Sequence, residues 1–185
     1  MKNITLFLLM SILAINTTYA MRTEGFSQEE LKNMLLTRCR RGDILWTEVL
    51  CKSIAKLDDN YAEHAMLNAI WHCPSNKASD IMKILLNNGV NVNYVCSTGT
   101  CFVQQATDKA LSSGNTRLLE ILLDAGADTT NSGTQDSNAL EMCLEIIGGP
   151  NNNPHAEKVF DLLMLKANEQ DKPIEEMFKK LFAKP

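Results

Sequence analysis

Beyond its first twenty residues the chain lacks several features that would define a function by themselves. No later stretch is apolar enough to span a bilayer. There is no phosphate-cradling Gly-rich loop, no nucleophile elbow and no two-His metal helix, so the best-marked catalytic motifs are missing. Histidine occurs only at positions 64, 72 and 155, and no two cysteines are separated by two residues, which removes the closely spaced ligand pairs of a zinc site. The one basic cluster is Arg38, Arg40 and Arg41. It falls just before Gly42, where cations complement the dipole of a closing helix, and the mildly acidic balance elsewhere gives no footprint for nucleic acid or an anionic membrane.

What is present begins with the leader. Lys2, an uncharged and mostly apolar run from Ile4 to Ile15, and a polar stretch ending Thr18-Tyr19-Ala20 have the layout of a secretory signal peptide, cut before Met21. The mature chain would then start at residue 21 with no membrane span. Losing Lys2 moves the formal net charge from −4 to −5. Both Asn-x-Ser/Thr sequons, at Asn3 and Asn16, lie inside the leader, which favours a bacterial export route, periplasmic or secreted.

All six cysteines lie in the mature part, at positions 39, 51, 73, 96, 101 and 143. Export would place them where disulfides persist, and Cys96 and Cys101, either side of Gly99, are the candidate local pair. His72-Cys73 would suit a thiol nucleophile with its base only if the two side chains faced each other, and neighbours on a helix point about 100° apart. The methionines sit at helix-core spacing and read as packing.

The informative pattern is internal. Ile84-Leu85-Leu86-Asn87-Asn88-Gly89-Val90-Asn91-Val92-Asn93 matches Ile121-Leu122-Leu123-Asp124-Ala125-Gly126-Ala127-Asp128-Thr129-Thr130, 37 residues later. Each is an apolar helix end, a Gly at the left-handed closing position and a polar exit. Ahead of the second copy, Phe102 to Ser112 reads as a first helix and Leu118 to Leu123 as its partner. His64 to Ile70 and Asn138 to Leu144 read as first helices of the flanking repeats, with Ser79 or Asp80 capping the helix that ends at Gly89. Asn153-Pro154 is the start of the last second helix. At the front, Ser27 and Glu30 form a capping box with a Phe26 to Leu31 staple, Gly42 closes that helix, and Ile44 to Lys56 runs back against it. Ile174, Met177, Phe178, Leu181 and Phe182 lie at helical spacing after Asp171-Lys172-Pro173.

On these residues the chain resembles the ankyrin-repeat family, although the Pro and His of the family's Thr-Pro-Leu-His-x-Ala stretch are absent. The resemblance implies an all-α, ankyrin-like solenoid of about four helix-turn-helix repeats over residues 21–170, after the 1–20 leader, with 171–185 as a C-terminal capping helix. It implies a non-enzymatic module that binds another protein, with no cofactor or metal and no nucleic-acid partner. The binding face would be the concave one, built from the stretches Asn91 to Thr100, Asp128 to Ser137 and Asp58 to Tyr61, with Tyr61, Tyr94 and Phe102 as candidate anchors. Core packing is an equal reading of Phe102. The competing function is a cysteine-dependent redox or thiol-handling protein of the bacterial envelope, which would need an exposed thiol of low pKa.

Overall fold

The structure is a computed structural model and describes residues 23, 25–54, 58–135, 137–149, 153–170, 174–175 and 178–179. The expected leader lies outside the described residues. So does most of 171–185, of which Ile174, Glu175, Phe178 and Lys179 are helical. Among the described residues the regular structure is eight α-helices without a strand, and no helix is long and apolar enough to cross a membrane. The helices fall into two compact units, divided between Val90 and Asn91.

The first unit contains α1 (Gln28–Arg41), α2 (Ile44–Ser53), α3 (Asp59–Leu67) and α4 (Ser75–Asn87). The capping box forms as expected: the Ser27 hydroxyl accepts from Glu30 N and the Glu30 carboxylate accepts from Ser27 N. Phe26 nevertheless stays 45% exposed while Leu31 is buried, so the hydrophobic staple contributes little. Asp43 N donates to Arg38 O and Gly42 N to Cys39 O, the paired bonds that close a helix through a left-handed residue.

Helix α3 continues into one π-helical turn, Asn68–His72, in which Cys73 N bonds back to Asn68 O. Pro74 then ends it, since proline has no N–H to carry the ladder further. Pro74 also stands at the cap of α4, which starts at Ser75 rather than at the expected Ser79 or Asp80. Proline's fixed φ suits a helix entry, and the first-turn bonds from Lys77 and Ala78 run to Pro74 O. Helix α1 packs on α2 and α3, and α2 on α4, around Leu35, Leu50, Met66, Ile70, Ile81, Met82 and Leu85. Leu45 of α2 is 42% exposed, whereas Leu50 of the same helix is fully buried.

The second unit contains α5 (Phe102–Ser113), α6 (Arg117–Asp124), α7 (Ala139–Ile147) and α8 (Ala156–Glu169). Helix α5 packs on α6, α7 and α8, and α7 on α8, around Phe102, Leu119, Leu122, Leu140 and Leu163. Asn153 opens the last element through a turn in which its Oδ1 accepts from His155 N, and α8 proper begins three residues after it.

The two matched segments close identically. Val90 N reaches Leu85 O and Gly89 N reaches Leu86 O, while Ala127 N reaches Leu122 O and Gly126 N reaches Leu123 O. Both glycines sit at φ +88°. The 37-residue period extends into the next helices, because Cys101 with Gln104 and Asn138 with Glu141 both form capping boxes.

Candidate interaction surface

In the second unit the two polar exits become two loops, 91–100 and 128–137, with position 136 outside the described residues. Their turns are built alike. Asn91 Oδ1 accepts from Asn93 N at 3.0 Å, and Asp128 Oδ1 accepts from Thr130 N and from the Thr130 hydroxyl, each at 2.8 Å. Asx side chains hold such turns by mimicking a backbone carbonyl. In the first loop Gly99 N donates to Cys96 O and Cys96 N to Thr100 O, beside an isolated antiparallel bridge between Val95 and Cys101.

The loops are fastened to each other by bonds between residues 30 to 38 positions apart. The Asn93 amide group donates to Gly126 O and its Oδ1 accepts from Asp128 N at 2.7 Å. Thr134 N donates to Gly99 O at 2.8 Å, and the Gln135 side-chain amide donates to Thr98 O at 3.1 Å. The approach is close enough to require glycine: Gly133 has φ +61°, and a Cβ there would collide with Gly99 O. The exposed rim of this pair carries Asn91, Asn93, Ser97, Thr98, Thr134 and Gln135, all neutral hydrogen-bonding side chains.

The three expected anchors are not equivalent. Tyr94 is half-buried, its ring 6.1 Å from that of Phe102 and tilted by 34°. Phe102 is fully buried, so core packing describes it and it presents no surface to a partner. Tyr61 belongs to the first unit. It is half-buried, with Lys32 Nζ 5.1 Å from its ring centroid and its hydroxyl donating to the Glu29 carboxylate. That bond raises the Tyr61 pKa, because it favours the protonated phenol. Lys32 also pairs with Asp58, whose carboxyl it holds below the usual range, and Asp58 caps α3 through Tyr61 N.

None of the six cysteines is joined in a disulfide, and the expected Cys96–Cys101 bridge is not formed. Both are buried, and the Cys101 Sγ lies 3.2 Å from Asn131 O and 3.2 Å from Gln104 Oε1. Burial pushes the thiols of Cys39 and Cys143 up to about 12 and that of Cys51 to about 11; it also raises Cys73 and Cys101. His72 is exposed and Cys73 half-buried.

Sequence reasoning passed over Gln104, which is 2% exposed and ties the start of α5 to the second loop through Ser137 O at 2.7 Å. The signal was its spacing three residues after Cys101, the same as Glu141 after Asn138. A cysteine in the capping place disguised it. No family model matches the chain, and neither a curated protein nor a solved structure matches it.

Proposed function

We propose that the chain is an exported, ankyrin-like repeat protein that binds another protein through the paired loops 91–100 and 128–137 and performs no reaction itself. The observation that carries this reading is the loop-to-loop ladder, in which turns of the same construction are fastened together one repeat apart. Irregular loops fixed by their own hydrogen bonds offer a partner a preformed surface, so little ordering entropy is lost on binding. In both units consecutive helix pairs pack side by side, which is how a solenoid buries faces that a single repeat cannot bury alone. The Lys2 to Ala20 leader supports export. The raised thiol pKa values favour this reading over thiol chemistry, since the reactive species is the thiolate.

Affinity capture with residues 21–185 tests the reading, comparing the wild type with Tyr94→Ala and with Thr98→Glu. Capture should fall at least tenfold in both variants while circular dichroism stays unchanged. Undiminished capture by both folded variants would exclude these loops as the binding surface.

A further inference from the structure

Four first helices offer a third position from which a side chain can reach back to the capping residue, and chemistry separates one of them from the rest. Those positions are Glu30, Tyr61, Gln104 and Glu141. Glu30 and Glu141 close capping boxes with carboxylates, which only accept when ionised, so their hydrogen bonding ends at the cap. Tyr61 has a hydroxyl that is spent on Glu29. Gln104 carries both an acceptor and a donor. Its Oε1 accepts from Cys101 N at 2.7 Å, and its Nε2 is left to reach forward to Ser137 O at 2.7 Å, 33 residues away.

Cys101 adds a second tie from the same point. Its Sγ stands 3.2 Å from both Gln104 Oε1 and Asn131 O, so the single S–H proton is shared between the cap and the next loop. Cys101 is 1% and Gln104 2% exposed, so water does not compete for these groups.

Resting on the reading that the loops form the binding surface, we propose that Cys101 and Gln104 are its positioning residues: a buried latch that holds loop 128–137 in register with loop 91–100. The pair does not itself meet the partner. A thiol serves because the place is too buried to be hydrated and needs a small donor beside a carbonyl. Glu141, at the corresponding place one repeat on, lacks the forward-reaching donor, so this mode of coupling stops at the second loop.

Amide hydrogen exchange of the unliganded mature chain, read by mass spectrometry, tests the latch without a partner. In Gln104→Met the forward donor is lost without burying a charge, so amides of 130–135 should exchange about fivefold faster, the weight of one hydrogen bond, while α6 and α8 keep their protection. Gln104→Met also gives up the acceptor for Cys101 N, so amides at the head of α5 should quicken with the loop; Gln104→Glu keeps that acceptor and, once its carboxyl is ionised, should quicken the loop alone. Cys101→Ala should speed the amides near Asn131, and Cys101→Ser, which keeps a donor, should restore them. Unchanged loop exchange in the Gln104 variants, or a rise spread evenly over every helix, would overturn the latch. Partner capture by the same variants is read separately. Faster loop exchange with capture undiminished would leave the latch standing and overturn the loops as the binding surface.

Discussion

Substituting Gly133 by Ala tests how the two loops are held, because the structure supplies both terms of the cost. Residue 133 sits at φ +61°, where an L side chain costs about 1–2 kcal/mol relative to glycine. Its Cβ would also run into Gly99 O, which accepts the 2.8 Å bond from Thr134 N, and moving that carbonyl away forfeits a further ~1 kcal/mol. The expected loss is therefore about 2–3 kcal/mol by urea denaturation, with an unchanged m-value. Gly126→Ala is the internal control. It has a similar conformation, φ +88°, but an added Cβ meets nothing within 4 Å, so only the backbone term of about 1–2 kcal/mol applies. Exchange should quicken in 130–135 for the first variant and not for the second. Equal losses in the two variants, or a Gly133→Ala protein within about 0.5 kcal/mol of wild type, would refute the close approach of the loops.

Two further outcomes follow from the buried thiols and from the caps. Cys39 and Cys143 have thiols raised from 9.0 to about 12, so they stabilise the fold fully below pH 9 and the contribution is lost as pH rises from about 9 to 12. At pH 10 each should cost about 1 kcal/mol by linkage; denaturation curves at pH 8 and 10 for the wild type and Cys143→Ala measure it, and a slope that Cys143→Ala does not reduce excludes the mechanism. Asn138→Ala removes the acceptor for Leu140 N and Glu141 N and should cost about 1 kcal/mol, seen as a lower melting temperature. A melting temperature equal to that of wild type would show that this cap is not used.

The parts of the fold legible in the sequence are those fixed within one helical turn. Ser27 with Glu30, Gly42, Gly89 and Gly126, and Asn138 at the head of α7 all act on backbone groups within a few residues. Their chemistry therefore predicts element ends without knowledge of the partners. The same locality explains where the reading slipped, since Pro74 could start a helix as well as end one, and α4 begins five residues before Asp80.

Burial and long-range bonding are different in kind. Phe102 and Tyr94 are both aromatic, one just after the first loop and one within it, yet one is fully buried and the other half-buried, because only packed neighbours decide which side of an element is inside. Leu45 has the spacing of a core residue and stands 42% exposed for the same reason. The bonds from Gln104 to Ser137 and from Cys101 to Asn131 cross 30 or more residues. No local pattern encodes them, because a side-chain amide or thiol gains a distant carbonyl only after the helices have packed and excluded water. The sequence by itself determined the all-helical class, the helix stops at Gly42, Gly89 and Gly126 and the 37-residue match between the last two, because each rests on backbone groups within one turn. Tertiary structure decided which thiols are buried and which residues fasten the loops, since both depend on contacts made only after folding.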